Sequence, residues 1–303
     1  MDTTYKIYAG ILDERLKADI ENKLEESQFG FRNGRGVTDA VFVINHIIHK
    51  QLSKKKGNYM PALRTSFNIY VAGLEEELRK GQAGGIVVGE RKAWSLTCAD
   101  DIVLMADREG ELKEMLKRFQ KFFKEAELEL STKKTKIVVF EKRRNKRRQR
   151  KWKWREQELE EVDQIRYLRY ILQKNGSDEK HIQDRKKRAR MAMKKTWSVG
   201  ERIFKQDCKR RMKMFGVLVE SVALFGAEVW GWNTEERLDR IQRRYVKWIL
   251  GLDMTTSNYI LIEEYKLIGI KEKALKRATK YEEKALEPKK ELVKECIKER
   301  ERN

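Results

Sequence analysis

Residues 94 to 106, Trp-Ser-Leu-Thr-Cys-Ala-Asp-Asp-Ile-Val-Leu-Met-Ala, constrain the fold more than any other stretch. Two apolar runs, 93–98 and 102–106, read as the strands of a hairpin, and Asp100 and Asp101 stand side by side at its tip. Gly84-Gly85 turns the chain into Ile86-Val87-Val88-Gly89 just before it. After it, Leu112, Met115, Leu116, Phe119, Phe122 and Phe123 form the apolar stripe of a helix predicted over 109–130. A strand at 136–140 closes this unit, so helices and strands are mixed and the fold class is α+β.

Adjacent carboxylates on a tight hairpin have a specific chemical use. Transfer of a nucleotidyl group builds negative charge on both the attacking and the leaving oxygen, and two divalent ions about 4 Å apart stabilise both. Magnesium takes hard oxygen ligands in octahedral geometry, so its carboxylates must sit on a rigid element, which a hairpin between buried strands supplies. Aspartate is also common in ordinary turns, where its side chain bonds to backbone N–H groups. The apolar strands on either side and the helix that follows favour the metal reading.

Charge points to a partner of opposite sign. Lys and Arg number 69 against 48 Asp and Glu, a formal net charge of +21, and charged residues make up 39% of the 303-residue chain. Each basic group placed on a phosphate releases condensed counterions, so an excess of this size favours RNA or DNA. Helices with solvated Lys- and Arg-rich faces are the alternative. Hydrophobic residues at 40% still allow a sizeable core. Cys98, Cys208 and Cys296 are odd in number and far apart, which suggests neither disulfides nor zinc and fits a reducing compartment. His46 and His49 share a helix face, but His181 is remote and no acidic third ligand follows, so they read as ordinary core or surface histidines. No apolar run reaches the roughly 18 residues of a membrane span. A location in the nucleus or cytoplasm is expected, with no membrane partner.

Elsewhere, Ile7, Ile11, Leu12, Leu16, Ile20 and Leu24 mark an amphipathic helix that ends before Gly30. The loop Gln28-Phe29-Gly30-Phe31-Arg32-Asn33-Gly34-Arg35-Gly36 sets arginines among aromatics and glycines, so Arg32 and Arg35 are candidates for phosphate contact, or members of a plain interhelical loop. A second helix runs through Val41, Ile44, Ile47 and Ile48, and another through Ile69, Tyr70, Leu74 and Leu78. Residues 142–155 concentrate basic side chains, Arg143, Arg144, Arg147 and Arg148 among them, around Trp152 and Trp154. Arginine for phosphates and tryptophan for stacking would make a single-strand platform; an import signal or a solvated loop has the same composition. The C-terminal third is helical, with a charge-rich end beyond Lys271 and Pro288 that is expected to fray.

The chain resembles the reverse transcriptase of non-LTR (LINE-type) retrotransposons, insect elements above all. Tyr5-Lys6-Ile7-Tyr8 and Gln28-Phe29-Gly30-Phe31-Arg32 are similar to the family's opening finger motifs, Phe67-Asn68-Ile69-Tyr70 to the helix after its template-contacting motif, and Ala99-Asp100-Asp101 to its Tyr-Ala-Asp-Asp metal turn. Residues Leu130-Ser131-Thr132-Lys133-Lys134 resemble the segment whose lysine lies near the departing pyrophosphate, Tyr167-Leu168-Arg169-Tyr170 the primer grip, and Leu224-Phe225-Gly226-Ala227-Glu228-Val229-Trp230 a thumb signature. The resemblance implies an RNA-directed DNA polymerase with Mg2+ on Asp100 and Asp101 and Lys134 as a further catalytic residue. It also implies Arg32 and Arg35 near a deoxynucleoside triphosphate and Tyr167 beside the primer, with RNA and DNA as partners.

The departures shape what is expected of this chain. The family's first metal-binding aspartate lies on a palm strand in a Phe-x-Asp-Leu-x-x-Ala-Phe-Asp pattern, which residues 33–66 lack; Asp39 belongs to a helix and offers no substitute. The Gln-Gly pair of the template-contacting motif is also missing, so an internal deletion is inferred near Gly57 to Pro61. That loss is expected to leave the hairpin without a sheet neighbour. Cys98 replaces the aromatic residue before Ala-Asp-Asp and Arg169 replaces a primer-grip glycine; a chain that opens on the finger motifs is expected to lack the endonuclease that complete elements carry upstream. The expected architecture is an incomplete right-hand polymerase: a fingers remnant (1–56), the junction (57–66), a partial palm (67–140), a basic linker with a primer-grip-like strand (141–175) and a helical, thumb-like region (176–303). The expected function is that of a catalytically inactive member of the reverse transcriptase family, a pseudoenzyme. The alternative is a basic RNA- or DNA-binding remnant, or a fragment with no function.

Overall fold

The computed structural model describes residues 3–21, 24–30, 32–54, 58–64, 73–141, 150–205, 207–233, 236–263, 265–286 and 290–302. The chain divides into two units, residues 1–176 with 285–303 and residues 177–284.

The first unit opens with helix Thr3–Ile20 (α1). Its position follows the predicted periodicity, but Ile7, Ile11 and Leu12 of the apolar stripe are exposed. Helix Val37–Ser53 (α2) is the opposite case: Val41, Ile44, Ile47 and Ile48 recur at helical spacing and all are buried. Asp39 in its first turn accepts from the Gly36 N–H at 2.8 Å, a favourable place for a carboxylate at the positive end of the helix.

Strand Asn58–Arg64 (β1) and helix Leu74–Gly81 (α3) follow. Next come strands Ile86–Val88 (β2), Arg91–Ala93 (β3), Ser95–Cys98 (β4) and Asp101–Leu104 (β5), then helix Glu109–Glu125 (α4) and strand Lys136–Phe140 (β6). Strands Trp152–Trp154 (β7), Gln157–Glu161 (β8), Gln164–Tyr167 (β9) and Tyr170–Gln173 (β10) complete the set. Six strands form one sheet in the order β4-β5-β1-β6-β8-β7, while β2-β3 and β9-β10 are separate hairpins.

One expectation is overturned here. The hairpin does have a sheet neighbour: β1, from the segment read as a deletion junction, lies between β5 and β6 and is antiparallel to both. The physical reason is backbone pairing. An apolar strand left as an open edge would keep a row of N–H and C=O groups without partners, and the nearest free extended segment fills it. Pro61, which has no N–H, lies beyond the β5 ladder, which covers Ala62 to Arg64, and is in register with Ile137 of β6. Residues Trp152 to Glu161, read from their charge as part of a linker, extend the same sheet. The helix that includes Ile69 and Tyr70 falls partly outside the described residues; its tail is α3, with Leu74 and Leu78 buried.

Both faces of the sheet are covered. Ile102, Leu104, Ile137 and Val139 pack against α3 and α4 through Leu112, Met115, Leu116, Phe119 and Phe123. The alternate positions Val103, Val138 and Phe140 point to the other face, as the two-residue period of a strand requires, and are equally buried. Phe119 and Phe123 meet the edge of Trp154 with ring centroids 5.7 and 5.8 Å apart, an orientation aromatic pairs prefer.

The second unit is helical: Glu179–Ile203 (α5), Cys208–Phe215 (α6), a π turn at Gly216–Glu220, Ser221–Ala223 (α7), Ala227–Trp230 (α8), Asp239–Ile249 (α9), Asn258–Glu263 (α10) and Ile270–Ala285 (α11). Gly226 takes φ +74 at the start of α8, a conformation that favours glycine. Its neighbour Phe225 accepts hydrogen bonds at its carbonyl from Trp230 Nε1 at 3.1 Å and a ring nitrogen of buried His181 at 3.2 Å, so the Leu224 to Trp230 motif acts as a packed corner.

Helix Glu291–Arg302 (α12) returns to the first unit. Its charge-rich sequence was expected to fray, yet Leu292, Val293, Cys296 and Ile297 are buried against α2 and β2. Glu299 fastens it, meeting His46 Nε2 at 2.9 Å, the Gly89 N–H at 2.8 Å and the Lys50 ammonium. Lys290, just before the helix, pairs with Asp39 at 2.8 Å. Among the described residues no helix is long and apolar enough to cross a membrane. Cys98, Cys208 and Cys296 are all free thiols.

Candidate functional site

Cys98 and Asp101 are partners in the β4-β5 register, which leaves Ala99 and Asp100 as a two-residue turn. Ala99 adopts φ +55, a left-handed conformation that costs a non-glycine residue roughly 1–2 kcal/mol. Asp100 is exposed and Asp101 half-buried. Cys98 is buried; burial first, and then the charges of Asp101 and Asp100, push its thiol up to about 11, so at neutral pH it is neither nucleophile nor ligand.

The outer edge of β4 is closed by the glycine-punctuated loop. Phe29 N–H donates to the Thr97 carbonyl at 2.8 Å, and Thr97 N–H to the Ser27 carbonyl at 3.0 Å, with the Phe29 ring buried. The two arginines of that loop are engaged locally. Arg32 donates to Glu21 at 2.8 Å and to the Glu25 carbonyl at 2.7 Å, while Arg35 binds the Glu26 carboxylate and donates to its carbonyl at 2.7 Å. Both side chains are about one-twentieth exposed, at 6% and 5%, so in this structure they hold the loop in shape and are not presented to a triphosphate.

On the inner side, β1 sets Arg64 in register with Asp101. Ala62 is partnered by Val103 on one side and Lys136 on the other, so two residues further on the same end of the sheet is reached by Lys134. At the usual strand spacing that is two strands, about 10 Å, from Asp101. Lys134 is exposed, in a turn where its N–H donates to the Ser131 carbonyl at 3.1 Å. This end of the sheet therefore carries two carboxylates from one turn, and a basic residue on each of the next two strands or their approaches.

Magnesium fits this donor set poorly. A two-ion site draws carboxylates from more than one element so that both ions are bridged. Here the position beside Asp101 is an arginine, and among the described residues no three His, Cys, Asp or Glu side chains converge. Asp100 and Asp101 supply half of such a site.

The β9-β10 hairpin turns through Leu168 and Arg169, at φ +46 and +66, the two positive values a primed two-residue turn demands. Arg169 thus occupies a backbone conformation suited to the glycine it replaces. Tyr167 is buried, not offered to a primer. Burial, followed by Cys98 and Asp101, holds its phenol well above the ordinary range, and among the described residues its hydroxyl has no hydrogen-bond partner.

The expected stacking platform is also taken apart by burial. Trp152 and Trp154 are core residues, 1% and 5% exposed, and Trp152 Nε1 donates to Glu161 at 2.9 Å. Their alternation in Trp-Lys-Trp turns both rings to one face of β7, which is the face α4 covers. Arg143, Arg144, Arg147 and Arg148 lie outside the described residues. A basic group not singled out from the sequence lies on α5 and α9, where Lys187, Arg190, Lys194, Arg240 and Arg244 are exposed; their three- and four-residue spacing was the available signal.

The first unit is thus an α+β fold with an acidic pair at the tip of a buried hairpin. Residues 64–172, about a third of the chain, match the family described as reverse transcriptase (RNA-dependent DNA polymerase). That segment opens at the end of β1, contains the aspartate hairpin, α4, Lys134 and Tyr167, and closes in β10, so this part of the chain is similar to reverse transcriptases. None of the curated proteins compared with the chain matches it.

Proposed function

We propose that the chain descends from the reverse transcriptase of a non-LTR, insect LINE-type retrotransposon and works as a pseudoenzyme that binds RNA or DNA without extending it. One observation carries the reading: the strand beside the paired aspartates brings Arg64, not a carboxylate, into register with Asp101. In a working polymerase two divalent ions neutralise charge on the attacking and leaving oxygens. With carboxylates from a single turn and none in register on the neighbouring strand, half of a two-ion site is supplied. The net charge of +21 supports retention of a polyanionic partner, and the nucleus or cytoplasm, where RNA and DNA are met, is the location proposed with it.

Two measurements test this. Manganese titration followed by electron paramagnetic resonance should show no micromolar site; such a site, lost in Asp100→Ala and Asp101→Ala, overturns the pseudoenzyme reading. Affinity for a mixed-sequence RNA should drop steeply with added salt, and a salt-independent interaction, or none, overturns the binding reading.

A further inference from the structure

We infer that the cavity between α3, β3 and the loop 25–27 is a binding site for a small zwitterion of the α-amino acid type. The inference does not rest on the nucleic-acid reading above. All the lining residues belong to the first unit, and the cavity has a volume of about 210 Å³. Glu75, in the first turn of α3, lines it and is 8% exposed; Glu26 lines it from the loop. Each keeps a buried carboxyl oxygen, Oε2, that has no hydrogen-bond partner among the described residues. The third acid of the cavity, Glu25, is already paired with Arg79, and Arg35 holds the carboxylate of Glu26 through Oε1 alone. A buried polar atom without a partner is costly, so these two oxygens are places where a donor would stabilise the site.

Unused donors lie in the same cavity. Trp94 Nε1 is buried and also lacks a partner among the described residues. The Lys92 ammonium stands 5.2 Å from the centre of the Trp94 ring and has no carboxylate partner among the described residues, whereas its neighbour Arg91 is paired with Glu291. The free groups are therefore two acceptors, on α3 and the loop, and two donors, one of them charged, at β3 and its end. A molecule with an ammonium and a carboxylate on one short frame answers both. Buried Ala93 and Leu292 supply an apolar remainder suited to a small side chain. A plain amine leaves the donors unused, and a plain carboxylate leaves the acids unused. A metal ion has no ligand set, since among the described residues no three His, Cys, Asp or Glu side chains converge.

Binding is coupled to a proton. Burial, and then the Glu25 charge, push Glu75 up to about 8; Glu26 adds to this, while Arg79 and a hydrogen bond from the Trp94 backbone N–H oppose it. At pH 7 Glu75 is mostly protonated. An ammonium seated beside it makes the carboxylate the favoured form, and the carboxyl proton leaves to solvent.

The full chain, labelled with nitrogen-15, is titrated with L-alanine, methylamine and acetate while the Trp94 indole N–H resonance, assigned by its loss in Trp94→Phe, is followed. L-alanine should shift it with an affinity at least about tenfold above that of methylamine or acetate, each of which lacks one set of charge-assisted contacts. Affinity for L-alanine should rise about tenfold from pH 6 to pH 7 and level off above pH 8, and calorimetry at pH 7 in PIPES and in Tris should report release of close to one proton. Glu75→Gln should flatten the pH dependence and abolish the release. Lys92→Ala, at an exposed position, should leave L-alanine bound no better than methylamine. No shift of the indole by L-alanine overturns the inference. Methylamine or acetate binding as tightly as L-alanine, an affinity flat between pH 6 and pH 8, or wild-type behaviour of Lys92→Ala also overturns it. Circular dichroism checks that Glu75→Gln is folded; if it is not, the ligand series, the pH profile and Lys92→Ala decide the outcome.

Discussion

Glu299 gives the clearest quantitative prediction, because a single carboxylate fastens the last helix to the first unit. Burial raises its pKa, but hydrogen bonds from His46, Lys50 and the Gly89 N–H outweigh this and hold it at about 2 against an ordinary 4.5. The shift is about 2.5 units, and at 1.36 kcal/mol each it corresponds to roughly 3 kcal/mol. The side chain is 15% exposed, and solvent screening trims this to roughly 2–3 kcal/mol. A folded pKa below the unfolded one means stability that is fully present above pH 4.5 and lost as pH falls toward 2. Burial, the largest influence on His46, holds its pKa below 6.5 although Glu299 favours the charged ring, so charging this buried ring costs further stability as pH falls below 6.5. Glu299→Gln removes the charge and keeps the shape. Hydrogen-exchange protection of the Cys296 and Ile297 amides should fall at pH 7 by roughly 2–3 kcal/mol in the variant. In the wild type the same loss should appear between pH 4.5 and 2. Equal protection in variant and wild type at pH 7, or a wild type whose protection is flat down to pH 2.5, refutes the argument.

Three further outcomes follow from the core and the turns. Trp154→Ala should cost about 3–5 kcal/mol in urea unfolding, because the ring packs against Phe119 and Phe123; lost RNA affinity with unchanged stability would mark it as a contact surface after all. Arg169→Gly relieves a left-handed residue worth about 1–2 kcal/mol, against about 0.4–1 kcal/mol of added unfolded-state freedom, so stability should hold or rise by up to about 1.5 kcal/mol. A loss instead would mean that the arginine side chain holds the turn. Tyr167→Phe removes a buried hydroxyl with no partner, so the midpoint of thermal unfolding should hold or rise; a loss above about 1 kcal/mol would show that the hydroxyl is bonded.

The aspartate hairpin was legible because local signals agree: two apolar runs and a two-residue turn need nothing distant to define them. Likewise α4 and β6 declare themselves through period and composition. Strand β1 was not legible, since Pro61 and the polar residues before it argue against a central strand, and its place is decided by the unpaired edges of β5 and β6. Trp152 and Trp154 were misjudged because ten nearby basic residues dominate the composition, while the alternation of Trp-Lys-Trp, the true cue, spans three positions. Helix α12 shows the same conflict: Leu292, Val293, Cys296 and Ile297 lie at helical spacing among lysines and glutamates. In α1 comparable periodicity leaves Ile7, Ile11 and Leu12 exposed. Periodicity predicts a helix; whether its face finds a partner depends on the rest of the chain. Arg32 and Arg35 were legible as a cluster but not in role, because the acids that hold them are local and the sequence does not show which groups they face.

The central claim is that half a metal site does not polymerise. It is met most directly by primer extension on an RNA template with magnesium and all four deoxynucleoside triphosphates, comparing the wild type with Asp100→Ala. No extended product is predicted from either protein. DNA synthesis by the wild type that disappears in Asp100→Ala would contradict the account.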